Sequence, residues 1–126
     1  MTVIGIVGLP GSGKSEAATV ARELGLPVVT LGDIVREETA ARDLDPAADH
    51  GQVAQALREE DGLAAIADRA LPNVNAARRD NDAVLIDGIR SGAEVERFED
   101  AFGEAFTLVA ITAPDEERAE RLAVRN

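Results

Sequence analysis

Residues 8–15 read GLPGSGKS and satisfy the spacing G-x-x-x-x-G-K-[ST] at every fixed position. Gly8, Gly11 and Gly13 let the backbone curl with its N–H groups turned inward, where larger side chains would block a phosphate. Leu9, Pro10 and Ser12 fill the spacing between them, so the whole stretch is expected to line a nucleotide site. A helix expected from Gly13 onward would aim its dipole and its unbonded amides at the same anion. Lys14 would set a flexible cation on the β- and γ-phosphates, and the Ser15 hydroxyl is placed to ligate Mg²⁺. By composition, a chance match in a chain this long is on the order of one in a few hundred. Lys14 is also the only lysine of the chain, at the one position where this chemistry wants it. The stretch predicts binding of a nucleoside triphosphate, ATP with Mg²⁺.

The flanks supply the context that such a loop requires. Val3–Val7 ahead of it is a nearly continuous apolar run, the pattern of a strand covered on both faces. Behind it, Ala17, Val20, Ala21 and Leu24 recur at helical spacing, Gly25 closes the helix and Pro27 follows. Further along, Val28–Thr30, Ala83–Ile86 and Phe106–Thr112 read as strands. Residues 32–44, 52–60 and 63–74 read as helices, the last with Asp61 as N-cap and Pro72 as a kink or break. Val95, Phe98 and Phe102 form one face of another helix, and Pro114 suits the start of a last one. Strands alternating with helices predict an α/β fold, a parallel sheet of about four strands between helical layers. No repeat, low-complexity tract or linker divides the chain, which predicts a single domain over 1–126. The helical stretch 33–80 is expected as a subdomain on one side of the sheet.

Composition narrows the function classes. The chain has 126 residues, with 13 basic against 24 acidic side chains and a formal net charge of −11. Its 45% apolar content is ordinary for a packed globule. The absence of cysteine excludes disulfides, thiolate metal sites and cysteine catalysis, and the single histidine, His50, excludes a His-rich metal site. Twelve arginines, one lysine and scattered acids resemble a cytoplasmic protein of a high-salt organism. An acidic surface shaped for a basic partner is the alternative. Strong negative charge opposes binding to nucleic acid or anionic lipid, so neither is expected as a partner. No stretch approaches the ~20 apolar residues of a membrane span. MTVIGIV has no charged leader region, which adds to the expectation of a cytoplasmic location.

The next acidic site bears on how the nucleotide is used. Asp87, at the end of the Ala83–Ile86 run, can leave a buried strand beside the loop and hold Mg²⁺ directly or through its waters; capping of the following turn is the plainer alternative. Hydrolytic motor ATPases usually carry a glutamate straight after this aspartate, and here the residue is Gly88. A guanine-reading Asn-Lys-x-Asp signature is impossible with Lys14 as the sole lysine. Both absences favour phosphoryl transfer to a second molecule.

Four segments in this order resemble the nucleoside monophosphate kinase group of P-loop proteins. Within it, the likeness is to an archaeal adenylate-kinase-like, dephospho-CoA-kinase-related family. GLPGSGKS has the Pro10 of adenylate-kinase loops and the GSGKS ending of dephospho-CoA kinases. TLGDIVR (30–36) resembles an acceptor-binding stretch, and IDGIRS (86–91) resembles a D-G-x-P-R element without its proline and one residue. ITAPDEERAERLAVR (111–125) resembles a strand-to-lid segment whose arginines clamp ATP. The resemblance implies the three-layer P-loop NTPase fold and a small-molecule kinase. It implies Asp33 near the transferred group, Arg36 and Arg90 on an acceptor phosphate, and Arg121 and Arg125 on ATP. Lys14, Asp33 and Arg90 are the catalytic candidates and Ser15 and Asp87 the metal ligands. It also implies a lid and fifth strand after Asn126, whose apparent absence is expected to mean either a C-terminally truncated domain or a protein that has lost part of its ATP cover.

Elementary chemistry allows these roles and blander ones. Asp33 and Arg36 stand at i and i+3, so both can face one pocket, or Asp33 can cap a helix. Arg90 would sit beyond a strand's carboxyl end, where α/β sheets bind ligands. Arg118, Arg121 and Arg125 share a helical face, but a Glu117–Arg121 pair makes a solvated ladder equally reasonable. His50 reads as an ordinary loop residue, and Arg58 as either an acceptor contact or part of a charged surface. Phosphoryl transfer from ATP to a phosphate-bearing acceptor is the first expectation, with the ribose hydroxyl of dephospho-CoA as the other acceptor. A nucleotide-binding regulatory protein without turnover is the expectation from a different class.

Overall fold

Strand periodicity sets the frame. The computed structural model describes residues 2–8 and 14–111. Strands β1 (Thr2–Gly8), β2 (Val28–Thr30), β3 (Ala83–Asp87) and β4 (Phe106–Ile111) form a parallel sheet in the order β2-β3-β1-β4. Side chains along β1 and β3 alternate between two covered faces. Ile4, Ile6 and Leu85 pack with Ala18 and Ala21 of helix α1 (Lys14–Glu23). Val3, Val84 and Ile86 join the larger cluster on the other face. Helices α2 (Leu31–Ala41), α3 (Pro46–Asp61), α4 (Ala65–Asp80) and α5 (Gly92–Phe102) build that cluster with buried residues such as Val35, Leu57, Ala70 and Phe98. The fold is thus the expected α/β arrangement, with three helices inserted between the second and third strands.

Each helix end has a local cause. Gly25 closes α1 at φ +82, with Leu26 N–H bonded to the Ala21 carbonyl and Gly25 N–H to that of Arg22. Helix α3 starts six residues earlier than apolar spacing indicated, because Asp45 accepts from Ala47 N–H and Pro46 takes the first helical position. Asp61 is therefore the last residue of α3 and not the cap of the next helix; the N-cap of α4 is Ala64, without a side-chain bond. Pro72 does not split α4. Burial of Ala65, Ile66, Ala67, Ala70 and Val74 on both sides of it outweighs a proline penalty of about 3 kcal/mol. Leu63 lies exposed before α4. Helix α1 also faces differently from expectation: Ala18 and Ala21 meet the sheet, while Val20 and Leu24 are 51% and 73% exposed. Two small residues let the helix approach the strands closely, which rotates the larger ones outward.

Gly5 on the central strand marks another close approach. A β-carbon there would stand 2.8 Å from both Ile89 Cδ1 and Phe106 Cζ, so those two side chains close over β1 only because residue 5 has none. Phe98 stacks between Phe102 and Phe106, with ring centroids 6.2 and 5.9 Å away, and Arg78 lies over the Phe102 ring at 4.9 Å.

An ionic network ties the inserted helices together. Arg42 bonds Glu38 at 3.0 Å and Glu60 at 3.4 Å, while Arg69 bonds Glu38 at 3.0 Å and reaches Asp61 at 3.7 Å. Arg97 of α5 pairs with Asp68 of α4. The hydrogen bond from Arg42, aided by the positive charge of Arg69, holds the Glu38 carboxyl below its ordinary value of 4.5 against the opposing effect of burial. A carboxyl depressed on folding contributes stability above its unfolded value and loses it as pH falls through its folded value. Acid titration should therefore loosen α2, α3 and α4 below about pH 4.5. Glu38→Gln should flatten that part of a melting-temperature profile; a mutant profile parallel to wild type would disprove the link.

Residues 9–13 and 112–126 lie outside the described residues. The curl of the glycine-rich loop, the helix expected near Pro114, and Arg118, Arg121 and Arg125 are among them. Among the described residues no helix is long and apolar enough to cross a membrane.

Candidate nucleotide and acceptor site

The carboxyl edge of the sheet gathers the chemistry. β1 ends at Gly8 and α1 begins at Lys14, so GLPGSGKS joins a central strand to a helix as its chemistry requires. On one side of β1, β3 ends at Asp87, and Thr30 of β2 is its partner in register. Asp87 is half-buried and is the last residue of its strand, one strand over from the loop. Ser15 stands in the first turn of α1. The Asp87 carboxylate is of the oxygen-donor type that Mg²⁺ takes, usually one or two from protein with waters and phosphate oxygens completing the shell.

Beyond Asp87 the chain must turn sharply. Gly88 makes that turn at φ +92, with Leu31 3.6 Å from where its β-carbon would lie. The turn buries Ile89 and leaves Arg90 exposed. Ser91 then caps α5: its Oγ accepts from Glu94 N–H at 3.3 Å. Glu94 reaches back, its Oε1 accepting from Arg90 N–H at 2.9 Å and from Ser91 Oγ at 3.2 Å. This reciprocal cap fixes the Arg90 backbone at the mouth of the site.

Helices α2, α3 and α4 and the turn into α5 now meet around a cavity of about 330 Å³. Leu31, Val35 and Arg36 come from α2, Ala54 and Arg58 from α3, and Gly88, Arg90 and Glu94 from the turn into α5. Leu31, Val35, Ala54 and Ile66 make its apolar wall, and three arginines bring positive charge into a chain of net −11. Arg36 is engaged by Asp33, Nη1 to Oδ1 2.7 Å, with both side chains exposed. The side chains of Arg58 and Arg90 have no ion pair or hydrogen bond among the described residues. His50 lines the rim, its Nδ1 3.1 Å from the Pro46 carbonyl oxygen.

The candidates from sequence thus divide into three groups. Arg36 and Arg90, the two residues that the resemblance assigns to an acceptor phosphate, line one cavity. Asp33 is not among the residues lining that cavity, and its carboxylate is held by Arg36. Gly8, Lys14, Ser15 and Asp87 are distributed around the carboxyl ends of β1 and β3, while Leu9, Pro10, Gly11, Ser12, Gly13, Arg121 and Arg125 fall outside the described residues. Glu94 was absent from the candidates, although Ser91-Gly92-Ala93-Glu94 is a visible capping sequence. Its near-complete burial could not be read from that signal.

Comparison with known proteins agrees with this architecture. A protein-family profile described as "AAA domain" matches residues 4–126. A UPF0200 protein of Halobacterium salinarum is 55% identical over 126 residues, covering 100% of this chain and 66% of the relative. A UPF0200 protein of Methanosarcina barkeri is 43% identical, covering 99% of this chain and 67% of the relative. The chain thus spans about two thirds of the length of these relatives. TT1252 from Thermus thermophilus superposes with a TM-score of 0.67 at 22% identity, covering 99% of this chain and 72% of the other. Shikimate kinase from Acinetobacter baumannii, solved in complex with shikimate, superposes at 0.52 with 19% identity, covering 96% and 62%. These relatives bear out the expected likeness to an archaeal family with a P-loop kinase fold.

Proposed function

Because the chain belongs to the AAA-domain family and to the UPF0200 proteins of archaea, and has a kinase-like nucleotide-binding fold, we propose that it transfers the γ-phosphoryl group of ATP to a small phosphate-bearing acceptor. The observation that carries this reading is the arginine-bearing cavity at the carboxyl edge of the sheet, where the turn after Asp87 and the start of α2 meet. A locally positive pocket in an acidic chain selects an anion. Arg36 and Arg90 hold the acceptor phosphate, and their guanidinium forks can each present two parallel N–H donors.

The chain's own residues act mainly by placement. Lys14 and the amides of Gly8–Gly13 hold the phosphates of ATP. Ser15 and Asp87 would hold Mg²⁺, which would neutralise charge on those phosphates. Asp33 keeps Arg36 extended along α2 and releases it to the incoming phosphate. The inserted helices, braced together through Glu38, cover the acceptor and exclude water that would otherwise hydrolyse ATP. In this reading 1–126 works as one domain, with 33–80 as its acceptor-binding part.

The test is a coupled measurement of ADP. The protein, ATP and Mg²⁺ are mixed in concentrated potassium chloride with a panel of nucleoside monophosphates and other phosphate-bearing acceptors. ADP released only when an acceptor is present is the expected result. Tight ATP binding with ADP release unaffected by every acceptor would replace the kinase reading by that of a nucleotide-binding regulatory protein.

A further inference from the structure

Glu94 plays no part in phosphoryl transfer as described, yet its position is unusual. It is 1% exposed and contributes to the cavity wall beside Arg36, Arg58 and Arg90. Both of its side-chain hydrogen bonds fall on one oxygen, Oε1, whose lone pairs they fill. Oε2 has no partner among the described residues. A buried carboxylate oxygen without a donor is costly. Capping of α5 explains Oε1 but not the burial, since an exposed glutamate closes a helix N-terminus equally well. The aliphatic lining offers no side-chain donor, and of the donors that line the same cavity, Arg36, His50, Arg58 and Arg90, none bonds Oε2.

The geometry points to Glu94 as the residue that selects the acceptor, its Oε2 receiving N–H donors from the end of the molecule remote from the phosphate. This inference rests on the cavity being the acceptor site. The aliphatic part of the lining suits a flat heterocycle, so the ligand class is a nucleoside monophosphate whose base presents donors to the carboxylate. Oε2 takes one donor in line, and a second donor beside the first is attracted by the same negative charge. Guanine offers N1–H and the N2 amino group side by side. Adenine and cytosine set an acceptor nitrogen beside their amino group, and uracil flanks its N3–H with carbonyl oxygens, all of which repel a carboxylate.

Calorimetric titration of the full chain with GMP, AMP, CMP and UMP tests this, for wild type, Glu94→Gln and Ser91→Ala. Wild type should bind GMP at least about tenfold more tightly than the other three, the scale of hydrogen bonds to a charged group. Glu94→Gln should lose that preference, because an amide oxygen is a weaker acceptor and its NH₂ opposes guanine's donors. Ser91→Ala removes part of the cap without touching Oε2; it should lower the melting temperature and leave the GMP-to-AMP ratio unchanged. Binding of monophosphates with the same ratio in wild type and Glu94→Gln would reduce Glu94 to a structural role while leaving the acceptor site standing. AMP, CMP or UMP bound as tightly as GMP by wild type would likewise overturn the selection. Failure of all four to bind wild type would overturn this inference together with the placing of a nucleoside monophosphate in the cavity.

Discussion

Lys14→Ala should weaken ATP binding about a hundredfold, the scale expected for losing a charged hydrogen-bonding partner of a polyphosphate. Three circumstances make the effect large. The chain carries a net charge of −11, so an incoming ATP meets overall repulsion that local positive charge must overcome. Lys14 opens α1 directly after the loop, where the helix dipole adds to its charge. No second lysine exists to substitute for it. Titration of wild type and variant with ATP and Mg²⁺, at matched salt, measures the difference, and melting without nucleotide checks that the fold survives. An unchanged affinity in a folded variant would remove the polyphosphate from the loop, and phosphoryl transfer with it.

Phe98→Ala should cost about 3–5 kcal/mol, a large part of the 5–15 kcal/mol that holds a typical domain. Phe98 has no exposed surface and links two other rings, Phe102 on its own helix and Phe106 at the start of β4. Those three are the only phenylalanines, and the chain has no tyrosine or tryptophan, so no ring beyond the two that Phe98 already touches can refill the space. The cavity would lie between α5 and the sheet. Chemical denaturation should show a midpoint shifted far down, or a chain unfolded without denaturant. A loss below about 1 kcal/mol would mean that α5 packs on the sheet by other contacts.

The fold was largely legible because its signals are local. Alternation of period two and period 3.6, with Gly25 and Pro27 as punctuation, located all four strands and the order of the helices. Where spacing failed, local chemistry had been underweighted: Asp45-Pro46 is a good helix start, but no regular apolar stripe follows it until Val53. Tertiary packing overrode propensity at Pro72. The site was less legible because its parts are far apart in the chain. Arg58 and Glu94 become cavity residues only when α3 is laid against α2 and the turn after β3. Burial of a charged side chain is a product of that assembly, and no motif announces it.

The bare α-carbon at Gly5 has a reach beyond its own strand. Ile89, which rests in the space it leaves, is the immediate chain neighbour of Arg90. Phe106, resting in the same space, begins the outermost described strand on that side. One missing methyl group thus serves as a common seat for the phosphate-facing turn and for the sheet's rim, so filling it would misalign a guanidinium that the intruding atom never touches.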